Sequence, residues 1–383
     1  MSLYDEIGHV TGHGTGHSNA LGSINLWTSL MAKKVTIRDV ARQAGVSYQT
    51  VSRVLNRRPD VAEETRQRVH QVIEELGYRP SAIARSLSSQ RTYTLGLITA
   101  DFSDYFFTQV IVGAEAEARK YGYFFMLCST ERNPADEPEY FKLLTEREVD
   151  GILFARPSTE QDSRHIASLL HQGMPLVTTA YYLPGQALTV VDVDNVDGGF
   201  QATQCLVEDG HQEIGMITGP VGWRSVNERA RGYRLALESQ CLTADPRLTD
   251  GGDWSYESGY QAMWRLLERA PGITALFAQN DRMAIGAMRA LREAGRAIPD
   301  DVAVIGFDDI PEAAYNFPSL STIRQPMQQV GETATRLLIE AINNPQAEKQ
   351  EVLMKAKLVR RESCGGRSIS DKKGGHGAHE EER

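Results

Sequence analysis

Residues 47–53 hold side chains that can hydrogen-bond to the edges of DNA bases. A guanidinium such as that of Arg53 can donate two hydrogen bonds to guanine O6 and N7, and an amide such as that of Gln49 can pair in the same way with adenine. Tyr48 adds an aromatic hydroxyl beside this pair. Hydroxyl groups suited to phosphate contacts belong to Thr36, Ser47, Thr50 and Ser52. The chemistry of this stretch is therefore hydrogen bonding to nucleic acid.

Two short helices joined by a tight turn would position these groups. Thr36 can cap a first helix, with Asp39 closing a capping box, and Gly45 ends that helix. Ser47 can cap a second helix, in which apolar residues face inward and the base-reading side chains share the outer face. A third helix is predicted over residues 62–76. The pattern favours a helix-turn-helix whose second helix enters the major groove. The alternative is an ordinary three-helix bundle with a solvated polar face.

The charge distribution supports DNA contact at this end of the chain. The whole chain has a net charge of −9 and 41% hydrophobic residues, but residues 32–91 hold 12 Lys and Arg against 6 Asp and Glu. This segment is therefore net +6, the 31 residues before it are net −2, and the remainder is net −13. A basic head on an acidic body is expected where only the head meets phosphates.

The rest of the chain alternates short apolar runs with amphipathic helical stretches. The runs are 95–99, 123–128, 151–155, 176–179, 214–218, 275–278 and 302–307, and the helical patterns are 108–121, 196–209, 228–239, 256–268 and 282–294. Such alternation predicts parallel sheets with helices on both faces, and the number of strands predicts two sheets. The predicted fold class is an all-α helix-turn-helix head followed by an α/β two-lobed body of two doubly wound parallel sheets.

Polar and aromatic side chains follow several of the predicted strands, where doubly wound sheets bind ligands. Asp101 follows the first body strand, Phe106 and Phe107 begin the next helix, and Arg156 follows the strand at 151–155. Further candidates at such positions are Arg229, Trp254, Asn280, Asp308 and Gln325. Together these groups can donate to and accept from adjacent hydroxyls, while an aromatic face covers a sugar ring. Singly, each also has a structural alternative as a helix cap, a salt-bridge residue or a core residue.

The stretch V-T-I-R-D-V-A-R-Q-A-G-V-S-Y-Q-T-V-S-R-V-L-N, residues 35–56, resembles the DNA-binding head of the LacI/GalR family of bacterial repressors. The resemblance adds Asn56 to the expected DNA contacts. It also implies that the segment after the head is a hinge that folds on DNA, where Ala84 and Leu87 contact the minor groove and Leu87 acts as an apolar wedge. A plain linker is the alternative for this segment.

The resemblance continues to about Glu362 and implies a domain order. The expected segments are a disordered extension at 1–31, the head at 32–79, the hinge at 80–91, a body at 92–364 that resembles periplasmic sugar-binding proteins, and a disordered tail at 365–383. Within the body, one lobe is expected from about 92–193 and 325–354, and the other from about 194–324 and 355–364.

Five body segments resemble effector-site motifs of the family. They are E-R-A-R-G-Y at 228–233, G-D-W-S at 252–255, N-D-R-M-A-I-G-A-M at 280–288, V-I-G-F-D-D at 304–309 and S-T-I-R-Q-P at 321–326. The resemblance implies ligand contacts from Arg229, Trp254, Asn280, Asp308 and Gln325. The chain departs from the family where the strand after Pro175 ends in Thr179-Ala180-Tyr181, without the Asp often found there. This departure predicts a more aromatic pocket.

The resemblance implies a homodimeric repressor that binds palindromic operator DNA under the control of a small effector, with a sugar as the leading candidate. A purine or nucleoside effector is one alternative, since the aromatic candidates could stack on a base. A secreted binding protein is another, but the N-terminus lacks a signal-peptide pattern. An enzyme is disfavoured because the sequence holds no phosphate-binding loop and no nucleophile elbow.

Cysteine usage bears on compartment and on metal binding. The four cysteines are widely spaced and form neither a metal-ligand pattern nor a disulfide framework, which indicates a reducing cytoplasm. No metal and no cofactor are expected. No apolar stretch reaches the length of a membrane span, so no membrane association is expected.

Overall fold

The computed structural model describes residues 35–55, 58–79, 91–156, 164–180, 182 and 187–365. Residue contacts divide the chain into two units, 1–90 and 91–383, whose described parts we call the head and the body. Several predictions lie outside the described residues: the extension at 1–31, Asn56, the hinge residues 80–90 with Ala84 and Leu87, and the tail from residue 366.

The described head contains helices α1 (Ile37–Ala44), α2 (Tyr48–Leu55) and α3 (Glu63–Leu76). Thr36 accepts a hydrogen bond from the backbone N–H of Asp39, and the Asp39 side chain accepts one from the Thr36 backbone. Gly45 ends α1 with φ 64°, and Gly77 ends α3 with φ 59°. A glycine adopts this left-handed conformation at no steric cost. The predicted capping box and helix ends are confirmed.

Buried valines join the three helices of the head. They are Val40 from α1, Val51 and Val54 from α2, and Val69 and Val72 from α3. Because α2 buries its valines, the side chains on its other face point to solvent. The small core thus orients the predicted base-reading face.

The described body contains twelve strands. In chain order they are β1 Thr94–Thr99, β2 Phe124–Ser129, β3 Gly151–Ala155, β4 Leu176–Thr179, β5 Thr189–Val193, β6 Ile214–Thr218, β7 Thr249–Gly251, β8 Ala275–Ala278, β9 Ala303–Asp308, β10 Ser321–Arg324, β11 Glu351–Met354 and β12 Lys357–Val359. The first sheet has the order β11-β5-β4-β3-β1-β2, and the second has the order β12-β10-β9-β8-β6-β7. All neighbours are parallel except β10 and β12. Two doubly wound sheets are therefore confirmed.

Helices connect the strands of both sheets. They are α4 Tyr105–Lys120, α5 Glu137–Glu146, α6 Arg164–His171, α7 Asn195–Glu208, α8 Arg224–Glu238, α9 Tyr256–Arg269, α10 Asp281–Glu293, α11 Pro311–Tyr315 and α12 Met327–Asn343. The chain passes from one sheet to the other after β5, after β10 and after β11. Among the described residues, no helix is both long enough and apolar enough to cross a bilayer.

The sequence analysis did not predict some of the strands and misplaced the start of two helices. Strand β5 was missed because Asp192 interrupts its apolar run, and β7, β11 and β12 are short edge strands with few buried residues. The predicted start of α8 at residue 228 is wrong, because the helix begins at Arg224 with a polar first turn. Helix α4 begins at Tyr105 rather than Thr108, since Asp104 caps it by accepting a hydrogen bond from the backbone N–H of Phe106.

Reciprocal glycines bring helix backbones into contact at three places in the described body. A Cβ at Gly232 of α8 would lie 2.1 Å from the Val196 carbonyl oxygen, and one at Gly199 of α7 would lie 2.3 Å from the Arg229 carbonyl oxygen. The other two pairs of helices, α4 with α12 and α9 with α10, meet in the same way at Gly113, Gly331, Gly259 and Gly286. No side-chain rotation can relieve such a clash, because the opposing atoms are backbone. These contacts set the position of α8, on which Arg229 lies.

We expect Gly232→Ala to lower the free energy of unfolding by about 1–3 kcal/mol or more, because the added methyl group must push α7 and α8 apart. The matched control is Gly272→Ala, at an exposed turn where an added Cβ meets no atom within 4 Å. It should change stability by no more than about 0.5 kcal/mol. Urea unfolding followed by circular dichroism measures both, and equal midpoints for the two variants would contradict the close-packing argument.

Candidate functional site

The outer face of α2 presents the predicted base-reading side chains. Tyr48 is 55% exposed, and Gln49 and Arg53 are also exposed. Arg53 lies 3.3 Å from Asp60 in an ion pair whose two side chains are more than half exposed. An exposed pair of this kind contributes little stability, so the guanidinium can exchange it for another partner at small cost.

Two of the hydroxyls predicted to contact phosphates, those of Thr36 and Ser47, also cap helices. The Ser47 Oγ accepts a hydrogen bond from the Thr50 backbone N–H at 3.1 Å and lies 2.9 Å from the Thr50 hydroxyl. The Thr36 hydroxyl donates to the Asp39 carboxylate at 2.7 Å. Ser52 is half-buried on α2. These contacts explain the local fold, while phosphate contacts by all four hydroxyls stay predictions.

The body holds a cavity at the carboxyl ends of strands from both sheets. The first sheet and the loops after it contribute Asp104, Phe106, Phe107, Arg132, Ala180 and Asp192. The second sheet and its loops contribute Asn195, Trp223, Ser225, Arg229, Trp254, Asn280, Asp308 and Gln325. This is the position where doubly wound sheets bind ligands.

The structure brings most of the predicted effector residues together in this cavity. Those that line it are Phe106, Phe107, Arg229, Trp254, Asn280, Asp308 and Gln325. Asp101 and Arg156 are outside its lining. Residues from distant parts of the sequence thus meet in one cavity, because the carboxyl ends of parallel strands lie at the same edge of a sheet.

Arg229 is fully buried at the floor of the cavity. Its Nε donates to the Asn195 Oδ1 at 2.8 Å, and its Nη1 donates to the Gln279 carbonyl at 2.6 Å. The guanidinium centre lies 3.7 Å from the centroid of the Phe307 ring. Burial lowers the pKa of Arg229, while the nearby carboxylate of Asp308 opposes this shift. A rigid fork held at two of its nitrogens offers its remaining donors to the cavity in a fixed direction.

Asp308 enters the cavity from an unusual backbone conformation. Its φ is 119° and that of Asp309 is 58°, values that non-glycine residues rarely adopt. The turn is held because Asp309 pairs with Arg361 at 2.6 Å and Asp308 accepts a hydrogen bond from the Gln325 side chain at 2.6 Å. Burial raises the pKa of Asp308, and Arg229 counteracts that rise. Strain of this kind is common at ligand sites.

Asp192 is a cavity residue that the sequence analysis did not identify. It is only 6% exposed, and burial raises its pKa to about 7. Its carboxylate accepts a hydrogen bond from the Val193 backbone N–H at 2.7 Å. Strand β5, which carries it, pairs with β4 so that Val191 lies opposite Thr179. A carboxylate thus stands on the strand adjacent to the one that lacks the expected Asp.

Indole and phenyl rings cover other parts of the cavity wall. The Trp223 and Trp254 ring centroids are 5.6 Å apart with 58° between the ring planes. Phe106 and Phe107 meet edge to face, with centroids 5.1 Å apart. Asn280 caps α10 and donates to the Trp254 carbonyl at 3.0 Å, so it also fixes an aromatic residue. The aromatic part of the cavity wall therefore consists of two tryptophans and two phenylalanines.

The two predicted residues outside the cavity have structural roles. Arg156 forms a buried ion pair with Glu137 at 2.6 Å, which matches its salt-bridge alternative. Asp101 accepts a hydrogen bond from the Arg132 Nε at 3.1 Å, and Arg132 lines the cavity. Asp101 and Arg156 follow strands that end near the cavity but are not part of its lining, and effector contacts by these two residues stay predictions.

Some of the missed cavity residues left a signal in the sequence. The run T-V-V-D-V-D at 189–194 places an acidic residue inside an otherwise apolar stretch, which is unusual for a buried strand. Trp223 stands just before α8, but the predicted helix began later and left it in a loop. Arg132 gave no local signal, because its place in the cavity depends on its pairing with Asp101 and Asp104.

Comparisons with known proteins find a matching family for the head and another for the body. Residues 36–81 match the family described as bacterial regulatory proteins, lacI family, and residues 203–364 match a periplasmic binding protein-like domain. The HTH-type transcriptional repressor PurR of Vibrio atlanticus is 36% identical over 85% of this chain and 97% of its own length. This identity extends through the head and the body.

Solved structures show the same architecture. A complex of the transcriptional regulator CelR with cellobiose has a TM-score of 0.67 and 34% identity, covering 86% of this chain and 99% of that one. The lac repressor dimer bound to operator and an anti-inducer has a TM-score of 0.77 and 28% identity, covering 87% and 99%. Together with the head and the cavity described above, these likenesses establish that the chain belongs to the lacI family of bacterial regulatory proteins, which are DNA-binding transcriptional regulators.

Proposed function

We propose that this regulator is a repressor whose operator affinity is controlled by a sugar bound in the body cavity. The observation that supports the sugar is a pair of carboxylates, the buried Asp192 on the first sheet and the half-buried Asp308 on the second, facing one cavity with indole walls. An ionised carboxylate only accepts hydrogen bonds, so its natural partner is a ligand rich in donors. Hydroxyl groups of a sugar provide such donors on several sides of one ring.

The shape of the aromatic walls also favours a sugar over a flat base. Trp223 and Trp254 are tilted by 58°, so they do not form a parallel slot for a planar ring. Each can instead cover a different apolar patch of a puckered ring. The polar groups that line the same cavity, Arg229 and Gln325 among them, offer both hydrogen-bond donors and acceptors to a ligand. A purine or nucleoside remains the alternative outcome of the test below.

The position of the cavity suggests how binding would reach the DNA. A ligand between Asp192 and Asp308 contacts both sheets at once, so it favours one arrangement of the two lobes. It can change operator affinity only by its differential affinity for those arrangements. On the family resemblance, the hinge at 80–91, with Leu87 as a minor-groove wedge, is the element that we propose responds.

We further propose that the protein acts in the cytoplasm as a homodimer and works by binding rather than by catalysis. A two-fold dimer matches a palindromic operator, and the similar lac repressor structure is a dimer on its operator. Light scattering of the full chain should give twice the chain mass. A monomer or a tetramer at working concentrations would contradict the dimer.

We expect Arg53→Ala to weaken binding to the true operator by about 1–3 kcal/mol, roughly 5- to 150-fold, because a bidentate base contact is lost. Binding to random DNA should change much less, since phosphate contacts dominate it. The matched control is Arg68→Ala, which removes an equal charge from an exposed position on α3. Fluorescence anisotropy at constant salt compares the variants. Equal losses on operator and random DNA would show that Arg53 contacts only the backbone.

We expect Asp192→Asn to weaken sugar binding by about 1.5–3 kcal/mol at pH 8, because a hydrogen bond to a charged acceptor is lost. Calorimetry with a panel of neutral mono- and disaccharides and nucleobases identifies the ligand first. The matched control is Asp300→Asn, at an exposed site outside the cavity. If only a nucleobase binds, the sugar assignment is wrong. If a sugar binds the variant as tightly as the parent, Asp192 does not contact it.

The same variant gives a stability test without ligand. Since the pKa of Asp192 is raised to about 7 in the folded protein, its ionisation weakens folding progressively as pH rises from about 4 to 7. The variant should therefore match the parent near pH 4 and exceed its stability at pH 8, by an amount on the order of a few kcal/mol. Thermal melts across this range measure the difference. A constant difference would contradict a buried, proton-binding Asp192.

A further inference from the structure

Two cysteines that are far apart in sequence meet at the end of the described body. Cys205 lies on α7 and Cys364 lies in the short 3₁₀ turn Glu362–Cys364. Their sulfur atoms and a carboxylate oxygen of Asp209 all lie within 4.8 Å of one another. Both thiols are buried, whereas Asp209 is exposed. The wide sequence spacing that argued against paired cysteines is thus misleading, because the chain end folds back onto α7.

The surroundings of the two thiols favour a thiolate on Cys364. Arg360 donates to the Asp209 carboxylate at 2.7 Å and to the Cys364 carbonyl at 3.2 Å, so a fixed positive charge adjoins the pair. The Cys364 sulfur also lies 2.9 Å from the Ser321 hydroxyl oxygen. The hydrogen bond from Cys205 lowers the pKa of Cys364 to about 6 and raises that of Cys205. One thiol is thus poised as nucleophile and the other as its proton-bearing partner.

The same surroundings disfavour a metal ion. Asp209 already pairs with Arg360, whose guanidinium would repel a divalent cation placed between the sulfurs. A thiolate beside an arginine instead suits reaction with a small neutral oxidant. The buried thiols adjoin the surface, because the exposed Asp209 lies within 4.8 Å of both sulfur atoms and the exposed Gly365 follows Cys364.

We propose that Cys205 and Cys364 form a dithiol site that hydrogen peroxide converts to an intramolecular disulfide. The Cys364 thiolate attacks one peroxide oxygen, the O–O bond breaks, and Cys364 becomes a sulfenic acid as hydroxide leaves. The Cys205 sulfur then attacks the Cys364 sulfur, the S–O bond breaks, and the oxygen departs as water with the thiol proton. Both sulfurs are oxidised by one electron each, and one peroxide is reduced to two waters.

The disulfide would join the chain end to α7, the helix that carries Asn195. Arg361 and Ser363, next to Cys364, already tie this end to the second sheet through Asp309 at 2.6 Å and the Val304 carbonyl at 2.6 Å. The new bond would therefore connect elements that hold both Arg229 and the Asp308 turn. The proposed disulfide would therefore form outside the ligand cavity, and its oxidation chemistry is separate from ligand binding.

The test uses the full-length protein, treated with hydrogen peroxide at low protein concentration and digested without reduction. Mass spectrometry should find one peptide pair joined through Cys205 and Cys364, two hydrogens lighter than the free peptides, and dithiothreitol should release it. Cys241→Ser, which removes the exposed cysteine elsewhere, should form the same link. Cys205→Ser should instead accumulate a sulfenic acid on Cys364 that dimedone traps.

Three results would overturn the proposal. They are a folded parent protein that forms no 205–364 link, a link that joins either cysteine to Cys128 or Cys241, and stoichiometric zinc binding that depends on Cys205 and Cys364 in the reduced protein. The link is sought in the parent chain, so a variant that fails to fold leaves the test intact. None of these measurements depends on sugar binding or operator binding. A negative result would therefore overturn the disulfide proposal without bearing on the proposed function.

Discussion

The burial of Arg229 is the constraint on which the rest of the ligand cavity depends. A guanidinium that is removed from water must be hydrogen-bonded and electrically compensated, or the fold would not tolerate it. Asn195 and the Gln279 carbonyl accept its hydrogen bonds, the Phe307 ring lies against its face, and the carboxylates of Asp192 and Asp308, one on each sheet, supply the opposite charge. These partners come from α7, the end of β8 and the strands β5 and β9. The charge therefore ties the two sheets together at the place where a ligand would enter.

Backbone packing makes this arrangement possible. Gly199 and Gly232 let α7 and α8 approach until backbone atoms touch, and one of those atoms is the carbonyl oxygen of Arg229 itself. Asp308 enters the cavity from a turn in which Asp308 and Asp309 both have a positive φ. Glycine contacts and a strained turn thus fix the charges to within hydrogen-bonding distance. A site that is preorganised in this way spends little of a ligand's binding energy on ordering the protein.

The sequence predicts the head and the sheet architecture well because the signals there are local. Capping by Thr36, the glycine ends of α1 and α3 and the apolar runs of the central strands are all read within a few residues. The cavity was predicted in part, since strand ends identify positions but not directions, and Arg156 faces Glu137 instead. The run at 189–194 signals an unusual acidic residue, but neither the place of Asp192 in the cavity nor the meeting of Cys205 with Cys364 could be predicted from the sequence. Both depend on tertiary neighbours, namely the β4–β5 pairing and the return of the chain end to α7.

The central claim is that a ligand in the body cavity and operator DNA at the head are energetically coupled. Fluorescence anisotropy of labelled operator, titrated with the full-length protein at increasing concentrations of the sugar that calorimetry identifies, measures that coupling directly. We expect the operator Kd to shift by about 5- to 150-fold and then to reach a plateau at saturating sugar. An operator Kd that stays constant while the sugar saturates the body would contradict it.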